Sequence, residues 1–148
     1  SSNTIDSAFY EAALSHDDQL RQRVAFALSQ IFVISTQDKS LGNQKSNTSA
    51  DYYDMLTKDA FGNFRNLIQD VTLHPAMGIY LSSLKNSKEN AATGKIPDQN
   101  FAREVMQLFS IGLVQLNADG TRRLDANGLA IETYDGTTLV SATVPRST

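Results

Sequence analysis

The stretch "SHDDQLRQRVAFALSQIFVIS" constrains the fold more than any other part of the chain, because its apolar residues recur at helical spacing and then spread around the helix. Leu20, Val24, Ala27, Leu28, Ile31 and Ile34 form one stripe, and Phe26, Phe32 and Val33 widen it towards the C-terminal end. Ser15 is placed to cap this helix, with Asp17 and Asp18 in a first turn where the helix dipole favours negative charge. A helix apolar around so much of its circumference expects burial on more than one side.

The rest of the chain reads in the same way. The polar stretch "TQDKSLGNQKSNTSA" has no period and is expected to be an exposed loop. "ADYYDMLTKDAFGNFRNLIQDVTL" reads as two helices joined at Gly62, with Tyr52, Met55 and Leu56 inward in the first and Phe64, Leu67, Ile68 and Val71 in the second. Pro75 disfavours helix at His74 and suits the first turn of a short helix, "PAMGIYLSSL", with Met77, Leu81 and Leu84 inward. A second polar loop, "KNSKENAATGKIPDQ", leads to the helix in "DQNFAREVMQLFSIG". After it, Asp119-Gly120 and Asn127-Gly128 are turn dipeptides that fit one small irregular hairpin, and no internal repeat is evident. The expected architecture is mainly α, a bundle-like single domain over residues 1–148 with long polar loops and a small hairpin near the C-terminus.

Composition narrows function chiefly by exclusion. The 148 residues are 41% hydrophobic and 20% charged, which allows one core without disulfides, and the absence of cysteine removes thiol nucleophiles and Cys-ligated zinc. A net charge of -3 with scattered Lys and Arg offers no footprint for nucleic acid or an anionic membrane. No apolar run approaches the about 20 residues of a membrane span. Neither a phosphate-binding loop nor a nucleotide-binding glycine fingerprint nor a Gly-x-Ser-x-Gly elbow occurs, and no cofactor is expected.

Four stretches together resemble one family: "QLRQRVAFALSQIFVIS", "AFGNFRNLIQDVTLHPAMGIYL", "NFAREVMQLFSIGLVQLNADG" and "ETYDG". They look like the bacterial domain-of-unknown-function family numbered 1800, with order and spacing fitting from about Asp17 to Tyr134. The resemblance implies a largely helical fragment from the middle of a longer, exported protein, periplasmic or extracellular. It suggests as partner a member of the uncharacterised exported family numbered 1501. After Asp135 the resemblance stops, since "GTTLVSATVPRST" lacks the family's following helix and Thr-Gly-Trp stretch.

Candidate chemistry centres on Arg103 and Glu104. On a helical wheel Asn100, Arg103, Glu104 and Gln107 share one face between two apolar flanks. One expectation is a buried structural network in which Arg103 and Glu104 are paired or hydrogen-bonded, with Asn100 helping to cap. A second makes Glu104 a general acid or base and Arg103 a clamp for an anionic group, as in a hydrolase or transferase, with His74 as a further catalytic group. A third is a plain solvated face. His74 precedes a helix start, where a lone histidine acts as a hydrogen-bonder or a ligand. Asn117, Asp119 and Asp125 offer oxygens to a hard cation, but EF-hand spacing fails and turn chemistry accounts for them more simply. The leading reading is a noncatalytic assembly or binding module.

Overall fold

The computed structural model describes residues 2–35 and 45–136 and is mainly helical, without a sheet or barrel among the described residues. The order is α1 (Ser2–Ser15), α2 (Gln19–Ile31), α3 (Lys45–Asp59), α4 (Phe64–Leu73), α5 (Pro75–Tyr80) and α6 (Asn100–Gln107). The chain separates into two compact units, residues 1–84 and 85–148, where the sequence reading anticipates one domain.

In the first unit α3 is the hub, packing against α1, α2, α4 and α5. Ser49, Tyr52 and Leu56 are fully buried at a spacing that places them on one α3 face, which explains why this helix sits at the centre. Its onset at Lys45 means that the end of the expected loop 36–50 is helix, while residues 36–44 lie outside the described residues. The break at Gly62 is present. The Gly62 N–H donates to the Asp59 carbonyl at 2.8 Å, and Asn63 caps α4 by accepting from the Arg65 N–H at 2.9 Å. Leu67 and Val71 then face inward, and Met77 and Leu81 do so from α5, but Phe64 and Leu84 are exposed.

The helix that opened the analysis is where expectation and structure part. α2 starts at Gln19, so Asp17 and Asp18 precede it. Ser15 ends α1 instead, its hydroxyl donating to the Glu11 carbonyl at 2.7 Å. The buried face of α2 is Gln22, Ala25 and Ser29, not the Leu20–Ile31 stripe. The small side chains of Ala25 and Ser29 let α2 lie close to α1 and α3, both of which it contacts. On a wheel the stripe of Leu20, Val24, Ala27 and Ile31 falls opposite this face. Leu20 is 68% exposed and Ile31 50%, and of the residues expected to bury the C-terminal half, Phe32 and Ile34 are buried whereas Phe26 and Val33 are exposed.

The second unit begins with a loop tied by Asn86, whose side chain donates to the Asp98 carbonyl at 2.7 Å and accepts from the Asp98 N–H at 3.0 Å. After α6 the expected single hairpin is instead a small three-sided ring. The N–H of Arg123 donates to the Gln115 carbonyl, that of Ile131 to Arg123, and that of Gln115 to Ile131, at 2.9, 3.0 and 2.8 Å. These residues are equally spaced along the chain, as are Gly120, Gly128 and Gly136. A short repeat is therefore present that the sequence pattern does not announce, because only its turn positions recur: "NADG", "DANG" and "TYDG". Gly120 and Gly128 have φ of 82° and 79°, a left-handed conformation that glycine adopts without a Cβ clash.

Candidate functional site

The first unit carries a groove of about 420 Å³ lined by Asp51, Asp54, Met55, Lys58, Asp70 and Leu73, with His74 at its wall. His74 is buried because two helices meet there: it ends α4 and caps α5. Its Nδ1 accepts the Ala76 N–H at 3.2 Å, so this nitrogen carries no proton. The proton is then on Nε2, which donates to the Asp51 carboxylate of α3 at 3.2 Å. The edge of the Tyr52 ring meets the imidazole with centroids 5.0 Å apart. Both nitrogens are thus committed. A general base needs a free ring nitrogen facing its substrate, and neither is free here without breaking a structural bond.

A second feature, beside the groove, was not visible in the sequence. Asp59, the last residue of α3, lies beside Asp70 of α4, and burial followed by the Asp70 carboxylate pushes Asp59 above the usual aspartate range. Lys58 opposes this and sits 3.5 Å from Asp70. The two aspartates are separated by a helix break, so no simple helical spacing flags them as neighbours.

In the second unit α6 is amphipathic in the ordinary sense. Ala102 and Phe109 are buried, whereas Asn100 and Arg103 are exposed and Glu104 and Gln107 half-buried. The expected buried pair is not formed in this unit: Arg103 enters no ion pair among the described residues. The reason is the side of the helix that is covered. Burial centres on Ala102, opposite the polar stripe, so Arg103 projects outward while Glu104 is half-buried. The N-terminal cap comes from Asp98, which accepts the Asn100 N–H at 2.8 Å, rather than from Asn100. One atom stands apart: Glu104 Oε2 is shielded from solvent and has no hydrogen-bond partner.

Asn117, Asp119 and Asp125 are accounted for by the ring's turns. Asp119 accepts from the Thr121 N–H and hydroxyl at 2.9 and 2.6 Å, and these bonds hold its carboxyl below the usual range. Asp125 accepts from the Leu129 and Asn127 N–H groups at 2.9 and 2.8 Å, with the same effect. No cluster of three or more His, Asp or Glu suited to a metal occurs among the described residues. None of their helices is long and apolar enough to cross a membrane.

Comparison with known proteins adds one finding. No curated protein and no solved structure matches the chain. The family described as protein of unknown function (DUF1800) matches residues 1–135, which takes in α1 and ends where the resemblance was expected to stop. With all six helices and the ring of turns inside that match, the chain belongs to the DUF1800 family.

Proposed function

We propose that this chain is a noncatalytic helical module of an exported bacterial protein, serving assembly or binding through the outward stripe of α2. The carrying observation is that, among the described residues, the covered face of α2 is Gln22, Ala25 and Ser29, while the opposite, apolar face leaves Leu20, Ala27 and Ile31 exposed and Val24 half-buried. Their spacing of four, three and four is that of a coiled-coil seam, which takes another helix as its natural cover. Covering Leu20 and Ile31 would stabilise an assembly by on the order of 1–2 kcal/mol each. The commitment of both His74 nitrogens also supports a structural role. By resemblance, the family numbered 1501 supplies a candidate for the binding partner.

A second reading has one observation in its favour. The partnerless Oε2 of Glu104, one residue from an exposed Arg103, is what a general acid or base beside an anion clamp needs, in a hydrolase or transferase. The test has two arms. Leu20→Glu combined with Ile31→Glu should leave unfolding free energy within about 0.5 kcal/mol, as expected for exposed positions, while abolishing self-association and hydrophobic-dye binding. A loss of several kcal/mol would place the stripe in the chain's own core. Hydrolase and transferase activity that disappears in Glu104→Gln would reject the noncatalytic reading.

A further inference from the structure

A second cleft, of about 210 Å³, opens between α1, α2 and α3, on the side of α2 that bears Gln22 and away from its outward stripe. Helical spacing builds its walls. Ala8 and Ala12 lie one turn apart on α1, and Ala50, Asp54 and Thr57 follow at four and three residues on α3, so each set shares one helix face. The alanines make part of the wall apolar and leave space between the helices.

The polar part of the wall offers acceptors. Gln22 is only 8% exposed, and its amide nitrogen donates to the two Asp18 carboxylate oxygens at 3.3 and 3.4 Å. That carboxylate fixes which end of the amide is the nitrogen. Asp18 does not line the cleft and Gln22 does, so the end turned away from Asp18 is Oε1, which accepts no hydrogen bond among the described residues. The Thr57 hydroxyl donates to the Tyr53 carbonyl at 2.9 Å, which engages its hydrogen and leaves its lone pairs as acceptors. Asp54 is exposed and enters no ion pair among the described residues.

We propose that this cleft binds a primary ammonium group carried on a short alkyl chain. An ammonium has three N–H donors and no acceptor, which matches an amide oxygen, a hydroxyl lone pair and a carboxylate. The carboxylate of Asp54 also supplies the opposite charge, and the chain lies against Ala8, Ala12 and Ala50. Size limits the ligand, because the cleft is smaller than the roughly 300–1,000 Å³ that drug-sized molecules occupy. A free small amine and the side chain of a lysine on another protein share this chemistry. The cations nearby are engaged elsewhere. His16 lines the cleft with its Nδ1 3.9 Å from Asp18, and Arg21 donates to the Thr57 and Lys58 carbonyls at 3.0 and 3.3 Å. Neither is paired with Asp54. The site is independent of the outward stripe of α2.

The experiment is titration of the full chain with n-butylammonium chloride, followed by the carbon-13 methyl signals of Ala8, Ala12 and Ala50. n-Butanol, with the same chain and no charge, and tetramethylammonium, with the same charge and no N–H, are the controls. n-Butylammonium should shift the three methyls saturably, and both controls should bind at least about tenfold more weakly, as the loss of a charge-assisted hydrogen bond requires. Asp54→Asn, at an exposed position that the fold tolerates, should weaken n-butylammonium by a similar factor, and Gln22→Met should weaken it as well. Nα-acetyl-lysine amide separates the two sources: binding as tight as that of n-butylammonium assigns the cleft to a lysine side chain, and binding of n-butylammonium alone assigns it to a free amine. Absence of a saturable shift, equal binding of n-butanol, or an Asp54→Asn variant that binds like the native chain would overturn the proposal.

Discussion

Replacing Tyr52 by phenylalanine removes one oxygen from the centre of the first unit and nothing else. Tyr52 is 0% exposed, and its hydroxyl donates to the Phe32 carbonyl at 2.8 Å, joining the middle of α3 to the residue that terminates α2. Burial, reinforced by Tyr53, pushes the phenol well above its ordinary value and favours the protonated, donating form. The net worth of such a bond is about 0.5–1.5 kcal/mol, and leaving a buried carbonyl without this donor adds to the loss, for an expected total of about 2 kcal/mol. In a chain of this size that lowers the melting temperature by about 4–8 °C. Urea titration followed by far-ultraviolet circular dichroism reports mainly the first unit, which contains five of the six described helices. The denaturant slope should be unchanged, because no additional surface is exposed. Tyr80→Phe, at a partly exposed ring, is the control and should shift stability by less than about 0.5 kcal/mol. If Tyr52→Phe is as mild as the control, the hydroxyl is not the clamp between α2 and α3 and the reasoning fails.

Two more outcomes follow from hydrogen bonds at helix ends and turns. His74→Ala removes the α5 cap and the bond to Asp51 together, and should cost about 2 kcal/mol, whereas His74→Asn keeps a capping acceptor and should recover about half in the same urea titration. In the second unit, the Asp125 carboxylate contributes stability above the ordinary aspartate value and loses it as pH falls through its lowered folded value. Hydrogen exchange at the Leu129 amide should therefore accelerate on acidification beyond its intrinsic trend, and Asp125→Ala should remove that excess.

Much of the helical layout was legible because it depends on local chemistry. Pro75 with His74, the Gly62-Asn63 break and the apolar run of Leu67 and Val71 all declare themselves within a few residues. The onset of α3 at Lys45 was missed because "SNTSA" has loop-like composition, and packing of Ser49 onto the other helices outweighs the low helix propensity of those residues. The ring of turns was half legible. Its Asp-Gly and Asn-Gly dipeptides mark reversals, but the bonds that close Gln115, Arg123 and Ile131 into a ring are between backbone groups and leave no side-chain signature. At the site, His74 was visible as a residue whose position demanded a partner, while its commitment to Asp51 and the Ala76 amide was not.

By itself the sequence determined that this chain is built from amphipathic helices, where several of them break, and that its match to the DUF1800 family runs as far as residue 135. Only the tertiary structure decided which face of each helix is covered. Hydrophobic periodicity says that α2 has an apolar stripe but not what lies against it, and close approach of α1 and α3 selects the small face of Ala25 and Ser29 over the larger Leu20 and Ile31. The same holds for charge. Arg103 faces water and Asp59 meets Asp70 because of which helix sides come together, a long-range outcome that no local spacing encodes.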